Sequence, residues 1–255
     1  MRVTVLSSGS DGNATLFEAC GTRVLVDAGI APRTLDTKLR ELGGTTHLDG
    51  IVVTHAHQDH VGNARRLGKR GIPVYMSEAT ARHVDLGNHV QVKTYSAREP
   101  FAVGRMVVSP TPLPHDAAQV ALVVEGGGKR AAIATDLGEV PPSLVEHLAG
   151  VETLLIEANH DPAMVEAGPY PGFLKRRVLS ARGHLSNAQT AELLRKIPRS
   201  VRTVILVHLS RTNNRETLAR EIAADALPRG VALLVAPQRG RMSVSTRMQQ
   251  LGLPL

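Results

Sequence analysis

Three imidazoles and a carboxylate fall within the six residues His55-Ala56-His57-Gln58-Asp59-His60, directly after the apolar run Ile51-Val52-Val53-Thr54. Residues two apart on an extended chain project to one side, so a loop leaving a strand end can turn several such side chains into one cavity. Imidazole nitrogen and carboxylate oxygen in that company suit zinc, manganese or iron. A polar loop that is merely rich in His is the competing reading, and the density of donors against an apolar strand weighs against it. Two further ionisable residues stand at the ends of apolar runs, Asp136 beyond Ala131 to Ala134 and His208 beyond Val204 to Val207. Burying such a group unpaired is costly, so each needs a partner or a cation. His115, in Pro114-His115-Asp116, lies among prolines, where a turn or surface His is the ordinary explanation. His47, His83, His89 and His147 lack a ligand-like context.

These side chains need strands to aim them. Short β-branched runs read as strands at Val3 to Leu6, Ala14 to Glu18, Arg23 to Asp27, Gly50 to Thr54, Val74 to Met76, Met106 to Ser109, Val120 to Glu125, Arg130 to Thr135, Thr153 to Ile156 and Val204 to Val207, with Val231 to Val235 closing the series. From Pro32, the spacing of Leu35, Leu39 and Leu42 gives a helical stripe that stops at Gly43-Gly44. A short helix starts at Pro141, and longer ones span Ser186 to Ile197 and Arg215 to Leu227, with Ser186 as a plausible N-cap. Strands first and helices outside imply two packed sheets covered by helices, a four-layered αββα sandwich. Without repeat, low-complexity tract or linker, residues 1–255 read as one domain.

Composition sets the boundaries of function. With 42% hydrophobic residues, 2% aromatics and no Trp, the core must be built from Val, Leu, Ile and Ala. The formal charge of +7 favours polyanionic partners, although Arg-rich composition alone can produce it. Cys20 is the sole cysteine, which excludes an intramolecular disulfide and a thiolate metal cluster. Neither a signal-peptide pattern nor an apolar run of the ~20 residues a membrane span needs is present. The chain reads as cytoplasmic, with no membrane partner.

The segment Thr54-His55-x-His57-x-Asp59-His60 resembles the signature of the metallo-β-lactamase superfamily in residue type and spacing. That resemblance implies the metallo-β-lactamase fold and a pair of divalent metal ions, zinc or manganese. His55 and His57 would hold one ion, Asp59 and His60 the other, and His115, Asp136 and His208 would complete the set. Several segments also resemble the YycJ/WalJ-type branch. They include Ser7-Ser8-Gly9-Ser10-x-Gly12-Asn13, Asp27-Ala28-Gly29, Thr135-Asp136-Leu137-Gly138, Glu157-x-Asn159-His160-Asp161, Gly183-His184-Leu185-Ser186-Asn187 and His208-Leu209-Ser210. This likeness implies a 5′-to-3′ exonuclease acting on double-stranded DNA. The last third is also similar to ribonucleases Z and J.

Around Gly183 to Asn187, a His at a helix N-terminus can receive a phosphate. His184 would then stabilise a non-bridging oxygen or protonate the leaving group, with Ser186 and Asn187 beside the substrate. Otherwise Ser186 is only a cap and His184 a solvated loop residue. His160 is either a contact to substrate or to a ligand, or part of a turn capped at Asp161-Pro162. Asp59 could orient a nucleophile. Lys175, Arg176, Arg177, Arg182, Arg211 and Arg215 could track phosphates, and with only three tyrosines, Tyr170 among them, base stacking would be a small part of recognition. Two other functions remain open: a small-molecule hydrolase (lactonase, thioesterase or cyclic phosphodiesterase) using the same metals, and a non-catalytic nucleic-acid-binding protein.

Overall fold

The computed structural model describes residues 1–237 and 242–245. The first sheet takes β1 (Arg2–Ser7), β2 (Ala14–Ala19), β3 (Thr22–Val26), β4 (Gly50–Val53), β5 (Val74–Ser77) and β6 (Val92–Tyr95). The second takes β7 (Phe101–Val103), β8 (Met106–Leu113), β9 (Gln119–Gly126), β10 (Lys129–Ala134), β11 (Thr153–Glu157), β12 (Thr203–Val207) and β13 (Ala232–Val235). The last strand among the described residues, β14 (Met242–Ser245), returns to the first sheet and pairs antiparallel with β1. The sheet orders are β14-β1-β2-β3-β4-β5-β6 and β13-β12-β11-β10-β9-β8-β7.

Strand alternation divides the apolar residues into three cores. Val24, Val26 and Val52 face Leu122, Val124, Leu155 and Ile205 between the sheets. Their chain neighbours point outward. Leu25, Ile51 and Val53 pack on Leu35 and Leu39 of α1 (Pro32–Glu41) and on Leu67 of α3 (Ala64–Gly68), α2 (Gln58–Val61) lying between those helices in the chain. After α4 (Glu78–Ala81), the remaining helices follow the second sheet: α5 (Pro142–His147), α6 (Pro162–Ala167), α7 (Gly172–Val178), α8 (Asn187–Leu194) and α9 (Glu216–Ala226). On that side Leu154, Ile156, Val204 and Leu206 meet Leu144, Leu193, Leu194 and Ala223. Period-two burial on both faces of both sheets makes four layers, the expected αββα sandwich.

The structure departs from the sequence reading at the margins. Strands β6 and β7 were not expected. β6 exposes three of its four residues, so no buried alternation marks it. Helices α6 and α7 are too short for a periodic stripe. Val231 to Val235 is an interior event in the chain rather than its closing strand, because β14 follows it. Helix α8 begins where Ser186 was placed as its cap, and the hydroxyl accepts from Gln189 N–H in a full capping box.

Candidate metal centre

The strands β3, β4, β8, β10, β11 and β12 all run toward one edge of the sandwich, where the chemistry collects. Asp27 follows β3, His55 follows β4, His115 follows β8, Asp136 follows β10, Glu157 ends β11 and His208 follows β12. Carboxyl ends of strands are the usual place for a ligand in sheets of this kind. Asp27, Asp136 and His208 have φ of 64°, 56° and 56°. A left-handed non-glycine backbone is strained, and here it turns each side chain across the sheet edge at the moment the strand ends.

Among the described residues two triads of donor atoms result, the atoms of each lying within 4.8 Å of one another: His55, His57 and His115, and Asp59, His60 and His208. Asp136 joins them. Its Oδ2 lies 3.2 Å from His60 Nε2 and its Oδ1 3.7 Å from His208 Nε2, and it forms a further triad with His55 and His60. All seven residues expected as ligands, His115 among them only through the family resemblance, therefore meet at one place, although as many as 153 positions separate them along the chain (208 − 55 = 153).

Each imidazole is oriented by a bond to its other nitrogen. His60 Nδ1 is 2.7 Å from Asp27 Oδ2, and Asp27 also accepts from the Thr54 hydroxyl and backbone N–H. His208 Nδ1 is 2.8 Å from Glu157 Oε1, and His115 Nδ1 donates to Gly183 O at 3.0 Å. His55 Nδ1 meets the Thr54 hydroxyl at 3.1 Å, and His57 Nε2 lies 3.3 Å from Asp116 Oδ1. Such backing fixes the tautomer and aims the remaining nitrogen inward. Three inward atoms, His55 Nε2, His208 Nε2 and Asp136 Oδ2, are buried without a hydrogen-bond partner. Leaving them so would cost of order 1–3 kcal/mol each, and divalent cations held by the two triads would satisfy all three. The residues fit a metal.

Electrostatics divides the two triads. Burial pushes the pKa of His55 down, with the neighbouring His60 adding to it, and burial likewise lowers His57 and His115. Burial acts the same way on His60 and His208, but Asp136 with Asp27 or Asp59 and Glu157 outweighs it, and His208 is held up to about 10. Carboxylates that favour a proton on these rings favour a cation beside them equally well. Asp136 and Asp59 are in turn held ionised, against their own burial, by the same imidazoles.

Glu157, Asp27 and Asn13 are the functional residues that donor spacing did not reveal. Glu157 Oε1 accepts from both His184 Nδ1 (2.7 Å) and His208 Nδ1, while Oε2 accepts from the N–H groups of Leu137 and Leu185. With both oxygens engaged, it positions imidazoles rather than binding an ion itself. Burial raises its pKa, yet the paired histidines bring it down to about 2. Asn13 Nδ2 lies 3.2 Å from Asp59 Oδ2. Its loop packs so tightly that a Cβ on Gly29 would sit 1.9 Å from Asp59 O, which requires glycine there.

A cleft of about 370 Å³ opens over the centre, lined by Ser10, His57, Asp59, Asp136, Asn159, Tyr170, Leu174, Arg177, His184, His208 and Ser210 among others. A larger hollow, about 570 Å³, lies at the opposite strand ends around Arg2, Arg23 and Lys129, far from any of this chemistry. His184 reaches the cleft with Nδ1 committed to Glu157. Ser186, Asn187 and His160 lie in the wall behind it. Ser186 caps α8, Asn187 exchanges amide bonds with Asn214, and His160 is buried, bridging Ser186 by backbone, with its pKa driven by burial to about 4. No helix among the described residues is long and apolar enough to cross a membrane.

Residues 22–209 match the family model described as "Beta-lactamase superfamily domain". Exodeoxyribonuclease WalJ of Streptococcus pneumoniae is 30% identical over 86% of this chain and 85% of its own length. Exodeoxyribonuclease YycJ of Bacillus anthracis is 30% identical over 89% of each. In fold, the metallo-β-lactamase fold protein YhfI of Bacillus subtilis superposes with a TM-score of 0.74 over 95% of this chain and 98% of its own, at 18% identity. The chain belongs to the metallo-β-lactamase superfamily, in the branch that contains the WalJ and YycJ relatives.

Proposed function

We propose that the chain is a metal-dependent exodeoxyribonuclease that degrades duplex DNA from its 5′ end. The observation that carries this reading is the pair of donor triads joined through Asp136 beneath an open cleft. The substrate class follows the two exodeoxyribonuclease relatives, which share 30% identity across most of the chain. His55, His57 and His115 would hold one divalent cation, and Asp59, His60 and His208 a second, with Asp136 between them. Zinc and manganese both suit these donors. Such ions would supply Lewis acidity toward a phosphodiester and a lowered pKa for water.

The protein's own part is orientation. Glu157 holds the His184 Nδ1 proton, which leaves Nε2 facing the cleft, and the same carboxylate raises the His184 pKa against burial. A charged imidazole there would donate to a phosphoryl oxygen or to the departing oxygen. Asp59, 22% exposed and tethered by Asn13, would accept a hydrogen bond from the attacking water. Ser186, Asn187 and His160 would act on substrate indirectly, by fixing the His184 loop. A cytoplasmic setting would keep the exposed Cys20 thiol reduced.

The test is digestion of 5′-labelled and 3′-labelled duplex DNA and RNA in defined zinc or manganese. Wild type should release the 5′ label of DNA first. His57→Ala should lose activity by about 10³-fold or more, and His184→Ala by about 10². Hydrolysis of small esters or lactams without any DNA cleavage would overturn the reading.

A further inference from the structure

This chain is poor in aromatics, and their placement is uneven. Of three Phe and three Tyr, four occupy the inter-sheet core: Phe17, Tyr75 and Tyr95 are buried and Phe101 packs against them. The remaining two, Tyr170 and Phe173, lie three residues apart in the chain where α7 begins. Tyr170 lines it, as do Leu174 and Arg177 of α7. Phe173 is 67% exposed, the only aromatic among the large exposed hydrophobic side chains of the described residues.

A single exposed apolar residue is ordinary on a protein surface. Three features separate this one. It sits one helical turn from Arg177, a rise of about 6 Å, and residues four apart share a helix face. Arg177 in turn donates to Asp116, whose Oδ1 is 3.3 Å from His57 Nε2, so the helix is tied to the metal centre. The helix is also strongly basic, with Lys175, Arg176 and Arg177 and no acidic residue. Such a surface attracts a polyanion and gives it one flat apolar face to stack upon.

We propose that Phe173, with Tyr170 beside it in the chain, is the surface on which the substrate's nucleobase next to the scissile phosphate stacks. This rests on the nuclease reading and adds its base-contacting residue. Stacking holds a nucleotide without reading its edge, so it orients the phosphate toward Asp136 and His184 in any sequence. The scarcity of aromatics limits how many bases are held, not whether one is.

Phe173 is exposed, so its replacement leaves the packing untouched. Kinetics should be measured for wild type, Phe173→Ala and Phe173→Trp on an intact duplex and on duplexes with an abasic terminal or penultimate nucleotide. Phe173→Ala should lose about 5- to 100-fold in kcat/KM on intact DNA, and Phe173→Trp should stay close to wild type. Wild type should lose a similar factor on one abasic duplex, to which Phe173→Ala is indifferent. Equal cleavage of intact DNA by Phe173→Ala and wild type, or equal abasic sensitivity in both, would overturn the inference alone. Failure of wild type to cleave any DNA would overturn the nuclease reading and this inference with it.

Discussion

The two donor triads differ by one ligand, a carboxylate in place of an imidazole, and differ further in what stands behind them. Around Asp59, His60 and His208, the supporting groups are Asp27 and Glu157, carboxylates buried to 2% and 0% exposure. Around His55, His57 and His115 they are a hydroxyl, a backbone carbonyl and Asp116, a third exposed and shared with Arg177. One position is thus embedded in fixed negative charge under low dielectric, where an ion is held strongly. The other, built of three imidazoles, has only the partly exposed Asp116 behind it as a charge, and both positions reach the cleft, through His57 on one side and through Asp59 and His208 on the other. The contrast teaches that the groups behind the ligands, as much as the ligands themselves, set the charge of a site. We expect the position backed by Asp27 and Glu157 to keep its ion and the all-histidine one to exchange it.

The largest effect should come from the residue that belongs to both positions. Asp136→Asn should release both ions and reduce turnover by about 10³-fold or more, checked by metal content and DNA hydrolysis on one preparation. Retention of a single tightly held ion would mean that Asp136 serves only one side.

An intermediate effect should distinguish the supports. Glu157→Gln and Asp27→Asn should each weaken metal affinity and turnover by about 10- to 100-fold, whereas Asp116→Asn should cost less than about 10-fold, since its charge is exposed and already offset by Arg177. Competition against a chelator measures this directly. A larger loss from Asp116→Asn than from Glu157→Gln would invert the comparison.

The smallest effect is a proton count. Raised pKa values leave His60 and His208 carrying protons at pH 7, and a cation must displace them, so affinity at the Asp59, His60 and His208 position should increase as pH rises. His55, His57 and His115 have lowered values, are already neutral at pH 7, and release none. Calorimetric titration in two buffers of different ionisation enthalpy should show about one proton or more released by wild type beyond what His60→Ala releases. Identical release would show that the two positions are protonically equivalent.

Much of this centre was legible from residue order alone, because its ligands are either clustered in the loop after β4 or stand where apolar strands stop. The layered fold was equally plain in the alternation of β3, β10 and β12. Glu157 escaped because its role depends on two histidines 27 and 51 positions away. The signal was nonetheless there, since it ends the apolar run Thr153 to Ile156 just as Asp136 and His208 end theirs. Asp27 closes β3 in the same manner. Edge strands such as β6 carry no such mark, since half of what determines them is the neighbour they pair with.

Each triad recruits from both halves of the sandwich: His55, His57, Asp59 and His60 leave the first sheet, while His115 and His208 leave the second. An ion seated in either would therefore act as a reversible cross-link between the two halves of the molecule, closing loops of dozens of residues much as a disulfide does in a secreted protein. A chain with one cysteine and a core of modest aliphatic side chains would have its staple in the same place as its chemistry. Chelation would then loosen the tertiary structure in the same step that silences the enzyme.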